Sequence, residues 1–287
     1  MTPQRVVVTG AGGQLGRQLV VAFGETAEVI GLDRMAFDIA DPSAISTLAA
    51  HRPTVVVNAA AWTDVDGCAR DPERAMQINA VAAGRLAQVA AQLGALSVQV
   101  STNEVFDGRS DRPYAEDDPP HPINGYASSK LAGEEAVAEE NPDHLIVRTA
   151  WIFGPGGTNF PSRIVAAAQR ARERDEALRV VADELGNPTW APDLARGIAT
   201  AVAGGLRGIL HLAGEPATSR YEWAVELLAG MTGLELVQIS QADYPRASAV
   251  PPRAVLDMGR AHAAGLRTMD WRPPSAAYAG LLLLGVA

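Results

Sequence analysis

Tyr126 and Lys130 stand four residues apart in the run YASSKLAGE. On a helix this spacing puts the phenol and the ammonium on one face, where the cation can stabilise a developing phenolate and make a weak acid usable. A second constellation lies upstream. Gly10, Gly13 and Gly16, with Gln14 and Leu15 between the last two, form TGAGGQLG directly after a strand-like run. Backbone N–H groups and a helix dipole at such a turn can hold a pyrophosphate. Asp33 closes the second strand-like run, about 20 residues on, where an acid can bind a ribose hydroxyl. Arg34 follows it and would suit a 2′-phosphate, so the two residues point to different coenzymes, NADH and NADPH. A plain surface charge is the other reading of Arg34. Asp38 and Ile39 come next. Ala60, Ala61, Trp62 and Thr63 lie in NAAAWT at the end of a third strand, where small residues let a cofactor approach the backbone or let a helix pack tightly.

These groups need a frame. Strands are expected at Val6–Thr9, Glu28–Leu32, Val55–Asn58, Ser97–Ser101 and Leu145–Arg148, and helices at Leu15–Phe23, Pro42–His51, Pro72–Leu93 and Tyr126–Glu140. Short β-branched runs alternating with Ala-rich helical stretches predict an α/β fold, a Rossmann-like doubly wound parallel sheet. Beyond about residue 150 prolines and glycines interrupt the pattern. The division expected is a dinucleotide-binding domain over 1–150 and a mainly substrate-binding lobe over 151–287, with some segments returning to the first domain.

Composition narrows the function. A chain of 287 residues, 47% hydrophobic and 20% charged, can bury a large core. A formal net charge of −9 argues against nucleic acid as the main partner. The single cysteine, Cys68, excludes an internal disulfide and a Cys-rich metal site. Leu281–Val286, the most apolar stretch, is too short to span a bilayer and is expected to pack on the body as a helix or strand. With no charged leader before the first strand, a cytoplasmic location is expected.

TGAGGQLG, NAAAWTDVD, STNEVFDG, YASSKLAGE, RTAWIFG followed by Asn159-Phe160, and DELGNPT occur in the order typical of extended short-chain dehydrogenases/reductases. Within that superfamily the chain resembles the dTDP-4-dehydrorhamnose reductases, from Val6 to about Trp271. The resemblance implies a catalytic triad of Thr102, Tyr126 and Lys130, with NADPH or NADH as hydride donor and a dTDP-linked 4-keto sugar as substrate. Tyr126 would protonate the C4 oxygen, Thr102 would orient it, and Lys130 would hold the nicotinamide ribose and lower the Tyr126 pKa from about 10. A unit charge about 4 to 5 Å away is worth roughly 3 to 4 kcal/mol at an effective dielectric near 20, or two to three pKa units. Val65, Trp151 and Asn159 match positions near the sugar nucleotide, Trp151 offering a flat face to a sugar ring or else packing in the core. Asp183 in DELGNPT falls near the lobe junction, where a cap or turn is the alternative. The family is compatible with a homodimer. The acidic cluster that holds an interface magnesium in some members has no match here, and no metal is expected.

Two departures stand out. The reductases usually carry Asp-Tyr after the threonine, whereas this chain has Asn103-Glu104; related 4,6-dehydratases carry Asp-Glu there. In VPPRAVL, Val250 and Ala254 replace the usual Arg and Ser, and Arg253 is expected to compensate by reaching a phosphate. Both segments bear on which sugar is bound, with Asn103 and Glu104 placed near substrate. The rival readings are a 4-epimerase or dehydratase that retains NAD⁺, and a non-catalytic subunit like the regulatory subunit of methionine adenosyltransferase.

Overall fold

The computed structural model describes residues 4–244, 246–267 and 270–285. The first half runs β1 (Arg5–Thr9), α1 (Gln14–Gly24), β2 (Glu28–Leu32), α2 (Pro42–Thr47), β3 (Val55–Asn58), α3 (Val65–Arg70), α4 (Pro72–Met76), α5 (Ala82–Gln92), β4 (Leu96–Thr102), α6 (Gly125–Glu140) and β5 (His144–Thr149). The second runs β6 (Ile152–Phe153), α7 (Phe160–Glu173), β7 (Leu178–Val181), β8 (Leu185–Gly186), β9 (Thr189–Trp190), α8 (Ala191–Ala203), β10 (Gly208–His211), β11 (Thr218–Ser219), α9 (Arg220–Leu227), β12 (Leu236–Ile239), α10 (Gly259–Ala263) and α11 (Arg272–Leu283).

Six strands form one parallel sheet in the order β2-β1-β3-β4-β5-β10. Alternate residues of a strand face opposite sides, and the valine runs divide accordingly. Val6, Val8, Val55 and Val57 enter a core with Leu19, Phe23, Leu194 and Ile198, under α1 and α8. Val7 and Val56 enter a second core with Ile45, Leu86 and Ala90, under α2 and α5. Strands buried on both faces need continuous apolar runs, which is why these were readable from sequence. β10 was not: GILH returns from the second half to the sheet edge beside β5.

The helix expected over Pro72–Leu93 is divided. Gln77–Val81 forms a π turn between α4 and α5. Asn79 within it is 1% exposed and binds both the N–H and the carbonyl of Trp62, at 2.8 and 3.0 Å, and the Ser129 hydroxyl at 2.9 Å. A Cβ on Gly133 would come within 2.2 Å of the Asn79 carbonyl oxygen. The bulge therefore seats α6 against NAAAWT. Pro42–His51 also divides, into α2 and a 3₁₀ turn at Leu48–His51.

A separate apolar core holds Phe153, Ile164, Val165, Trp223, Trp271 and Tyr278, built by α7, α9 and α11. The Leu281–Val286 run lies on α11 as far as Leu283, and Val286 falls outside the described residues. No helix among the described residues is long and apolar enough to cross a membrane.

Candidate active site

The strand order reverses at β1, between β2 and β3, which is where open α/β sheets bind ligands. Gly10 sits there at φ +71°, and a Cβ on it would lie 2.7 Å from the Ala60 nitrogen. Gly16 packs its α-carbon against the Gly10 carbonyl, so a Cβ there would clash at 2.1 Å. Gly13 caps α1 with no side-chain bond, leaving first-turn N–H groups for an anion. This cradle fits a dinucleotide pyrophosphate. Leu15 is buried in the core, and Gln14 packs on Gly157, joining the turn to the second half. Asp33 accepts from the Met35 and Ala36 N–H groups, both at 2.9 Å, leaving Arg34 exposed with no bonded partner among the described residues. Asp38 accepts from Ala40 N–H, and the Ile39 side chain is in the core, so only its backbone is available to a cofactor. Ala60 and Ala61 are half-buried beside the turn. The Arg74 guanidinium lies 4.6 Å over the Trp62 ring, while Thr63 reaches the neighbouring cleft.

That cleft has a volume of about 1150 Å³ and runs from Thr63, Val65 and Glu104 to α7 and β7. Behind Glu104, and outside the cleft lining, β4 delivers Thr102, whose Oγ1 accepts from the Glu104 N–H at 3.2 Å, and α6 delivers Tyr126 and, one turn on, Lys130. Asn124 caps α6, accepting from Ala127 N–H at 2.7 Å, and its amide donates to Glu104 Oε2 and to the Ala249 carbonyl, both at 2.9 Å. Asn124 thus fixes both the helix start and the carboxylate beside it.

The expected lowering of the Tyr126 pKa is reversed. Burial, and then the nearby Glu104 carboxylate, push it well above the ordinary phenol value, while a hydrogen bond with Thr102 pulls the other way. The Lys130 ammonium instead donates to the Val100 carbonyl at 2.7 Å, and burial brings its own pKa down to about 8 against the pull of Glu134. Burial also raises Glu104, opposed by the Asn124 hydrogen bond.

Other expected residues fall in different places. Glu104 and Val65 line the cleft. Asn103 does not: it is 4% exposed, and its amide donates to the Ala254 carbonyl at 2.8 Å. The two departures in sequence thus touch each other through Asn103 and Ala254, while Glu104 and Val250 face the cleft. Arg253, like Asn103, lies outside the cleft lining, on a bridge pairing with Leu185, with its Nε buried and unbonded. Trp151 does reach the cleft, at φ +43°, a left-handed conformation costly for a bulky residue. Its ring does not offer a free apolar face as expected, because the Arg220 guanidinium stacks 3.5 Å from the ring centroid. Asn159 borders the cleft but spends its side chain capping α7 and bonding the Gly154 carbonyl. Asp183 is a tie, accepting from Gln241 N–H at 2.7 Å.

Its neighbour is the functional candidate that sequence reasoning missed. Glu184 is 4% exposed and bonds Arg220 Nε at 2.9 Å and Arg246 Nη2 at 3.1 Å. Two guanidiniums sharing one carboxylate leave a net positive charge on the cleft wall, and Arg163, Arg170 and Arg179 line it further out. DELGNPT marked the segment; nothing local marked Arg220 or Arg246, whose roles come from the fold. Among the described residues no three His, Cys, Asp or Glu side chains are grouped to hold a metal ion.

A parallel sheet with a glycine turn at its switch point, and a Tyr/Lys helix beside a cleft, define an extended short-chain dehydrogenase/reductase. The RmlD substrate binding domain model matches residues 4–280. The chain is 39% identical over 279 residues to the dTDP-4-dehydrorhamnose reductase of Streptomyces griseus, covering 93% of this chain and 90% of that one. It is 36% identical over 272 residues to the spore coat polysaccharide biosynthesis protein SpsK of Bacillus subtilis, covering 93% and 94%. The crystal structure of dTDP-4-dehydrorhamnose reductase from Bacillus anthracis in complex with NADP superposes with a TM-score of 0.89 at 30% identity, covering 96% and 99%. The chain belongs to the RmlD family. It is an NAD(P)-dependent sugar-nucleotide reductase of that family.

Proposed function

We propose that the protein reduces the C4 keto group of a nucleotide-linked 6-deoxy sugar, converting dTDP-4-dehydro-L-rhamnose to dTDP-L-rhamnose. The observation that carries this reading is Tyr126, a phenol hydrogen-bonded with Thr102 and next to Glu104, which lines a cleft with a cationic wall. The names of the relatives support the choice of sugar nucleotide.

NAD(P)H, when bound on the Gly10–Gly16 turn, supplies the hydride. Tyr126 keeps its proton until negative charge grows on the C4 oxygen and then donates it, so no free alkoxide forms. The raised pKa suits this direction, because a reductase needs its acid loaded. Thr102 hydrogen-bonds the same oxygen and orients the carbonyl. Lys130 holds the ribose hydroxyls with the N–H bonds that Val100 leaves free. Arg220 and Arg246 take the diphosphate, a charge-assisted contact on a wall that Glu184 only half neutralises. Glu104 meets a sugar hydroxyl. With Asn103 tied to Ala254, the acid–base pair that elimination would need is incomplete, which favours reduction over dehydration.

The test supplies purified protein with the dTDP-4-keto sugar, made in situ, and follows oxidation of NADPH and of NADH. Coenzyme consumption is expected; none with either coenzyme would overturn the proposal.

A further inference from the structure

The stripe begun by Tyr126 and Lys130 continues at Glu134, one further step of four residues along α6. Glu134 is 3% exposed, as is Lys130. Its carboxylate is fixed from two strands. Ser101 on β4 donates to Oε1 at 2.5 Å, and Arg148 on β5 donates from Nε to both oxygens, at 3.0 and 3.1 Å, and from Nη2 to Oε2 at 2.7 Å. Three successive residues of β4 therefore meet this face of α6. The Val100 carbonyl takes Lys130, the Ser101 hydroxyl takes Glu134, and Thr102 stands with Tyr126.

We propose that Glu134 is a positioning residue: clamped by Arg148 and Ser101, it keeps Lys130 in its ammonium form for the coenzyme. The inference rests on the reading of Lys130 as the coenzyme-holding lysine. A buried ammonium bonded only to a carbonyl loses its hydration without a counter-charge, and burial drives it toward the neutral amine. Glu134 is the charged group that opposes this. The other titratable groups at this interface act elsewhere. Arg148 is consumed by the ion pair, Glu104 from the 3₁₀ turn and Cys68 from α3 act on Tyr126, and α4 and α5 present no charge acting on Lys130. Arg148 in turn approaches His211 on β10, which burial keeps neutral, with a pKa of about 4. A carboxylate already paired can still do this work, since Glu134 stands one turn along α6 from Lys130 while Arg148 reaches it from β5.

The test is NADPH binding by fluorescence titration from neutral to alkaline pH, which needs no sugar. Wild-type affinity is expected to hold at neutral pH and to weaken above about pH 8. Glu134→Gln should begin to weaken about one unit lower, giving roughly fivefold poorer binding near pH 8 while matching wild type in mild acid. Glu134→Gln with Arg148→Met removes both buried charges at similar volume, guards against misfolding, and should shift the profile the same way. Folded variants whose profiles overlay wild type would overturn the proposal and leave Glu134 a staple between α6, β4 and β5. Lys130→Met separates the two claims. If it weakens binding and abolishes the alkaline decline while Glu134→Gln does nothing, only the Glu134 inference fails. If it binds NADPH like wild type, the reading of Lys130 fails with it.

Discussion

Glu134 and Glu184 are both buried carboxylates with cations near them, one between α6 and the sheet and one on the cleft wall, and they are wired differently. Glu134 bonds one cation, Arg148, and leaves Lys130, four residues back on α6, tied to a carbonyl. Glu184 bonds both of its guanidiniums directly. At the coenzyme end the carboxylate keeps a single charge alive in a buried place, so its loss is expected to appear in a pH profile. At the substrate end the carboxylate spaces two arginines that stay charged at any working pH, so its loss is expected to appear in stability while anion binding survives. A buried ion pair can thus tune a proton at one site and set geometry at another.

The most severe way to separate the two ends is Tyr126→Phe. Removing the proton donor should cost about 10² to 10⁴ in kcat while NADPH affinity changes little. Loss of coenzyme binding instead would make the phenol structural. At the other end, Arg220→Met or Arg246→Met should raise KM for the sugar nucleotide about 10- to 100-fold with kcat nearly kept, because each removes a charge-assisted contact made in ground and transition states alike. A fall in kcat with unchanged KM would break the assignment of that wall to the diphosphate.

Arg34 sharpens the contrast, having no carboxylate partner among the described residues. Arg34→Ala should weaken NADPH about tenfold and leave NADH alone, and an equal effect on both would refute phosphate recognition. Glu184→Gln should lower the melting temperature without weakening the nucleotide sugar. Equal losses of ligand affinity in Glu184→Gln and Glu134→Gln would erase the distinction between the two carboxylates.

The smallest effect concerns His211, behind Arg148. Burial, then the Arg148 charge, hold its folded pKa near 4 against an ordinary 6.5. The unfolded chain therefore takes up this proton first. The stability is fully present above pH 6.5 and is lost as pH falls toward 4, by up to roughly 3 kcal/mol. His211→Gln should flatten the melting temperature over that window, and an unchanged slope would assign the acid sensitivity elsewhere.

What the sequence disclosed follows from how local each signal is. Val6–Val8 and Val55–Val57 are buried on both faces of the sheet, so hydrophobicity alone marks them. The glycine turn and the Tyr126/Lys130 spacing are each contained in one strand–turn–helix or one helix. β10 is four residues carrying a buried histidine, too short and mixed to read as a strand, and it joins the sheet only because α8 carries the chain back. The π turn at Gln77–Val81 was invisible because what it packs against, Gly133, lies over 50 residues away. For the same reason Asn103 and Arg253 pointed toward substrate in sequence, while the fold turns Asn103 to Ala254 and Arg253 out of the cleft lining. Arg220 and Arg246 meet only at Glu184, a contact that no linear pattern encodes.

The central claim is hydride delivery to a sugar C4 with Tyr126 as the acid, and coenzyme deuterated at the transferred position of its nicotinamide tests it most directly. With the dTDP-4-keto sugar, the expected product carries one deuterium, bound to C4, and Tyr126→Phe forms the same labelled product far more slowly. Deuterium retained on the coenzyme, or a product labelled at another carbon, would contradict the account.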